Sequence, residues 1–401
     1  MPFLICVLLF LGAMQPQRAL AHDPSAWGGT FRTRDLGQSW LPADAGLFIG
    51  GALDLAVSPT DPNHLLYATD TRLLRSRNGG RDWKPEAPAL FLGATLAVAF
   101  LADGQGALAS TSQGLFRTSG GSNWVAVALP QVALPVRRIV VGGAGGLVFA
   151  IGRRGVFVSH DGGEHFQRSG AEVLSDAAAT ALVVLPQAGN LALLVSQGQL
   201  WASADGGANW QPRQAGLPKG SVELVCADAG NSQRLWAAAA NQLHLSTDLG
   251  KTWQLFGQPL PEAGSTVRGI VADAAGRLLI LATRRGALRS RNAGASWELI
   301  EGTLPVHQEA GPLLRDPANA STLYIGFSLM PYAEVWRRAE QGSNLLAQID
   351  PYSLAGGAAF LLLLGTGAAL LVRRLAPART HARAYAYAHA HADAGTARSN
   401  P

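Results

Sequence analysis

"SADGGANW", Ser203 to Trp210, decides how this chain folds, because it is one of seven octets of the same pattern. The copies are "TRDLGQSW" from Thr33, "SRNGGRDW" from Ser76, "RTSGGSNW" from Arg117, "SHDGGEHF" from Ser159, "SADGGANW" from Ser203, "STDLGKTW" from Ser246 and "SRNAGASW" from Ser290. Their closing aromatics are Trp40, Trp83, Trp124, Phe166, Trp210, Trp253 and Trp297, spaced 41 to 44 residues apart. Repetition at such a period marks an architecture of stacked units. Between copies lie an apolar run such as "TALVVLP", a second such as "LALLVS", a short turn and a third such as "LWAS". One more short segment follows each aromatic. Four short strands per unit of about 43 residues predict a propeller blade.

The octet has a physical job. Asp35, Asn78, Asp161, Asp205, Asp248 and Asn292 occupy its third place, where a side-chain oxygen can accept backbone N–H bonds. The first Ser or Thr hydroxyl can bond within the turn. The fifth residue, glycine, tolerates positive φ. The closing aromatic buries its ring between adjacent blades. The third copy departs, placing Arg117 and Ser119 at the first and acidic positions, so its blade is expected to be the least tightly stapled.

The octets resemble the Asp-box (BNR) repeats of bacterial sialidases, sortilin-type receptors, xyloglucan hydrolases and photosystem II assembly/stability factors. The resemblance covers roughly Gly28 to Leu345. It implies a structural turn on the outer rim, away from any site, so the octet acids are read as structural rather than catalytic. Sialidases carry an Arg-Ile-Pro element that this sequence lacks. No carboxylate pair announces itself as a glycosidase would need; Asp54, Asp70 and Asp103 stand as candidates by default. The assembly/stability factors look closest, and they imply a single exported propeller that holds a membrane-protein subunit.

Counting predicts an all-β ring of seven four-stranded blades, with eight as the alternative. "AGPLLRD" and "STLYIGF" are expected to supply two strands of the last blade, and the N-terminal "GGTFRT" and "SWLPA" the other two. "AEVWRRAEQGSNL", ending at Leu345, reads as a decayed eighth copy or a stem. Domain expectations follow: signal peptide 1–21, propeller 22–345, stem 346–353, transmembrane helix 354–372 and cytoplasmic tail 373–401. "FLICVLLFLGAM" (Phe3 to Met14) suits a signal-peptide core, and Ala19 to Ala21 offer small residues for cleavage; an uncleaved anchor is the alternative. Leu354 to Val372 is an uncharged run followed by Arg373 and Arg374, long enough to span with positive charge inside. The expected location is therefore the cell membrane, with a single pass and the ring outside the cytoplasm.

The chain holds 32 Lys+Arg against 27 Asp+Glu, but the excess sits at Arg18 and at Arg373, Arg374, Arg379, Arg383 and Arg398, against one acid, Asp393. The large middle is balanced, which argues against nucleic acid. Cys226 alternates with polar neighbours and reads as core filler. His381, His389 and His391 in the Ala-rich tail form no metal pattern, so no cofactor or metal is expected.

Turns between second and third strands share a face opposite the octets, with the links between blades. That face gathers Arg72, Arg153, Arg154, Arg284 and Arg285 from turns, and Arg137, Arg138, Lys219 and Arg268 from links. Guanidinium forks suit carboxylates or phosphates. The expected partner is an acidic surface or peptide of a membrane complex; carbohydrate is the minor reading.

Overall fold

The second strand of every unit is a continuous apolar or small-residue run, from "LLYAT" to "LYIGFS", and all seven are fully buried. Such a run suits a strand sandwiched within its sheet and between neighbouring sheets. The computed structural model describes residues 28–342, except 45, 144, 171–178, 229 and 262–263, together with 359–368 and 370. Residues 28–342 form seven four-stranded antiparallel sheets. Blade 1 runs through Ala52–Val57, Leu65–Thr69, Leu73–Ser76 and Lys84–Pro85. Blades 2 to 6 repeat that order, beginning at Thr95, Arg138, Ala179, Val222 and Val267. First strands neighbour one another around the ring, so they line its axis. Fourth strands are short and largely exposed.

Blade 7 joins the two ends of the ring. Gly29–Thr33 pairs antiparallel with Leu323–Ser328, setting Gly29 opposite Phe327 and Thr33 opposite Leu323. Glu309–Arg315 and Leu41–Pro42 complete the sheet. Closure removes the free strand edges an open array would present.

The octets make the expected turns. At Ser203 the hydroxyl donates to Asp205 Oδ1 at 2.8 Å and accepts from the Gly207 amide at 2.8 Å. The Asn209 amide and side-chain nitrogen donate to Asp205 Oδ1 and Oδ2 at 2.9 and 2.7 Å. The copies at Thr33, Ser76, Ser159, Ser246 and Ser290 repeat the pattern. The third copy is shifted by one residue. Thr118, not Arg117, ends the strand and bonds Gly120, and no carboxylate gathers the amides. Arg117 stays in the strand and donates to Gly162 O of the next blade at 2.9 Å.

The aromatics rivet blade to blade. Trp83 Nε1 donates to Ala43 O at 2.7 Å, Trp124 Nε1 to Glu86 Oε1 at 2.8 Å and Trp210 Nε1 to Ser169 Oγ at 2.8 Å, each in the preceding unit. Trp40 is buried beside Ile280 of blade 6. Phe166, Trp210 and Trp297 are half-buried.

The Asn209 amide, Asn209 side chain and Ser203 hydroxyl hold the Asp205 carboxyl down at about 2. A depressed folded value means the unfolded chain takes up its proton first. The contribution is therefore complete above about pH 4 and disappears as pH falls through 2. Asp205→Asn, the residue two copies already carry, should flatten the loss of urea resistance between pH 5 and 3; an unchanged slope would exclude this role.

One expectation fails in shape. The "AEVWRRAE" part of the expected eighth copy forms no strand: Tyr332–Glu340 is an α-helix, α1, and residues 343–345 of that copy lie outside the described residues. Its Tyr332, Val335 and Ala339 share one buried face, a helical spacing. Glu334 answers Arg337 and Arg338 on the outer face. Residues 359–368 and 370 are helical and expose Phe360, Leu361, Leu362, Leu363, Leu364 and Leu370. No helix among the described residues is long and apolar enough to cross a membrane. The rest of the expected span, and the expected signal peptide, stem and tail, lie outside the described residues.

Candidate functional site

Six of the seven first strands carry a register shift near their start. Leu53, Leu96, Thr180, Glu223, Arg268 and the Gly311–Pro312 pair are the unpaired residues. A bulge bends a strand and re-aims a side chain. Repeated around the ring, it turns these residues toward the axis on the face opposite the octets. The result is a cavity of about 830 Å³, lined from the blades by Leu53, Asp54, Arg138, Thr180, Glu223 and Arg268.

The helix α1 lies over this cavity and contributes Tyr332, Trp336, Arg337 and Glu340 to its wall. At its start, Tyr332 Oη donates to Ala52 O at 2.7 Å and the Tyr332 amide to Glu309 Oε2 at 2.8 Å. Arg268 stacks over the Tyr332 ring, 4.8 Å from its centre. Along its length, Val335 and Ala339 pack on Leu53 and Leu96. At its end, Glu340 pairs with Arg137 at 2.6 Å. Starting at blades 7 and 1 and ending at blade 3, α1 crosses the mouth and leaves Thr180, Glu223 and Thr266 beside it.

Burial pushes the Asp54 carboxyl up to about 6, although the Val98 amide donates to it at 3.0 Å and Arg138 opposes the shift. Burial also raises Glu223, which accepts the Val267 amide at 3.4 Å. Each carboxylate thus bonds the first strand of the next blade. Burial, with Asp228 beside it, pushes the Cys226 thiol up to about 12, in keeping with an inert side chain.

The arginines divide into two groups. Arg137, Arg138 and Arg268 reach the axial cavity. Arg137 is held by Glu340, and Arg268 by Glu309 at 2.7 Å, with Arg284 3.5 Å from the same carboxylate. Arg72, Arg153 and Arg154 lie exposed on second-to-third turns, as do Arg284 and Arg285. Lys219 is exposed in the link before blade 5. Glu309 and Glu340 were not legible as partners: Glu309 opens the first strand of blade 7, and Glu340 lies on α1, outside the repeat. The default carboxylates are not brought together: Asp70 sits in a turn of blade 1, and Asp103 closes a turn of blade 2 by accepting the Gln105 and Gly106 amides. Asp161, Glu164 and His165 approach one another on an exposed octet, where Asp161 already gathers the turn amides.

Solved structures share this ring. YCF48 bound to D1 peptide aligns with a TM-score of 0.53 at 17% identity, over 70% of this chain and 95% of its own. YCF48 from Cyanidioschyzon merolae gives 0.52 at 15%, covering 71% and 97%. The GH74 xyloglucanase from Xanthomonas campestris gives 0.52 at 20%, covering 68% of this chain and 51% of its own length. Identities this low carry the fold and no more. No family model matches the chain, and no curated protein matches it.

Proposed function

We propose that this chain is a non-catalytic protein-binding propeller, an assembly or stability scaffold held at a membrane outside the cytoplasm, whose octets are Asp boxes. The observation that carries this reading is the cationic link face. Arg72, Arg153 and Arg154 are exposed there, and no carboxylate among the described residues lies within ion-pair distance of them. Such guanidinium groups are suited to the carboxylates of an acidic surface or extended peptide of a membrane complex. The fold shared with YCF48 bound to D1 peptide supports a peptide as the ligand class. The uncharged run at 354–372 supports the anchor. Changing Arg72, Arg153 and Arg154 to Ala should leave the melting transition intact. It should also reduce recovery of co-purifying subunits from native membranes by about tenfold or more. Equal recovery by the triple variant refutes the reading.

A glycoside hydrolase is the second reading. Asp54 and Glu223 share one cavity, and both have raised proton affinity. The xyloglucanase fold supports it. Against it, each carboxylate is already committed to an amide of the neighbouring blade. Turnover of xyloglucan or a sialoside, lost in Asp54→Asn and Glu223→Gln, would establish it instead.

A further inference from the structure

The ring is complete without α1. Blade 7 closes through Gly29–Thr33 and Leu323–Ser328, and every sheet has its four strands before Tyr332 is reached. The helix is then an addition seated on a finished surface. It is nine residues long, about 13 Å, and its N-terminus has no side-chain cap. A helix of that length is marginal alone in water, so the seat supplies its order. The seat reads four features in register: an aromatic with a hydroxyl, a branched aliphatic three residues on, a small residue four further, and an acid next to it. Tyr332 meets Ala52 O and Arg268, Val335 and Ala339 meet Leu53 and Leu96, and Glu340 meets Arg137.

We infer that the axial mouth is a receptor for a short amphipathic helix, that α1 is its resident ligand, and that a partner's helix of the same pattern binds by exchanging with α1. The inference rests on the protein-binding reading above and adds to it a second, helical segment of the partner, seated at the axis rather than on the turn arginines. Glu223, Thr180 and Thr266 line the part of the cavity beside α1, so an incoming segment has a first foothold before α1 leaves. The exchange exposes Leu53 and Leu96, both buried at present. An apolar pair of this kind is covered by another apolar face rather than left to water.

The test uses the full chain and a labelled peptide carrying residues 329–342. Tyr332→Ala with Glu340→Lys in the chain releases α1 at both ends. That variant should bind the peptide at least tenfold more tightly than the unaltered chain, because the resident helix no longer competes. A peptide bearing the same two substitutions should not bind. Adding Arg137→Glu to the variant should weaken the peptide by tenfold or more, and a peptide with Glu340→Lys alone should recover the loss. The inference is overturned by equal peptide affinity for both chains, by no binding to a variant that melts cooperatively, by no rescue from the charge exchange, or by a variant that no longer folds, which would make α1 part of the ring's core. Subunit recovery by the Arg72, Arg153 and Arg154 variant is read separately, so the two ideas can fail independently.

Discussion

Glu86→Ala is expected to lower the unfolding free energy by about 3–5 kcal/mol, the usual cost of stranding a buried charge. Glu86 follows the second octet and is only 4% exposed. Arg75 donates to it twice, at 2.6 and 2.9 Å, and Trp124 Nε1 of the next blade donates at 2.8 Å. Arg75 also contacts His64 and reaches Gly121 O at 3.0 Å. Burial, then Arg77 and Arg75, push the His64 imidazole down to about 4, so it faces Arg75 as a neutral ring at neutral pH. Removing the carboxylate leaves Arg75 with no anion and Trp124 with no acceptor. The loss is read in urea denaturation. Arg75→Met with Glu86→Leu should recover most of it, since apolar replacements of both partners are often neutral. A Glu86→Ala unfolding free energy within about 0.5 kcal/mol of the parent would show that the pair contributes little.

Gly207→Ala is expected to cost about 2–3 kcal/mol, and Gly206→Ala about 1 kcal/mol. Both glycines have positive φ, 92° and 71°. They differ in surroundings. A Cβ on Gly207 would sit 2.7 Å from Phe149 Cε1, a buried ring of the preceding blade. A Cβ on Gly206 would meet the exposed side chain of His160, 2.8 Å from its Cε1. Three other octets show a matching asymmetry: their fourth place holds Leu36, Leu249 and Ala293 at positive φ, while the fifth is glycine in all seven copies. Equal costs for the two substitutions would mean that backbone conformation alone, and not the blade interface, selects the fifth residue.

The blades were legible because one turn motif is repeated with its aromatic, and because short apolar runs separate the copies. Closure by the two ends was legible from which strands were missing at each end. Three features were not. The helix α1 follows a run of octets, and nine residues with Tyr332, Val335 and Ala339 on one side give little period to recognise. The third octet is one residue out of step because Thr118 supplies the hydroxyl that its neighbours place at the first position. The bulges that aim Glu223 and Arg268 at the axis depend on register between strands, which no single strand encodes. The arginine face was legible as positions on turns. Its division was not, because Glu309 reaches Arg268 from the first strand of the next blade and Glu340 reaches Arg137 from α1, pairings that depend on how the elements meet in space.

The meeting of Gly29 with Phe327 sets the order of events when the chain is made. Gly29–Thr33 has its outer neighbour, Leu41–Pro42, close behind it, but its inner neighbour, Leu323–Ser328, is synthesised only after the strands of six blades. Until that pairing forms, one edge of Gly29–Thr33 and one edge of Leu323–Ser328 are open backbone ladders. Any slowdown late in translation therefore lengthens the time for which those two edges stay unpaired.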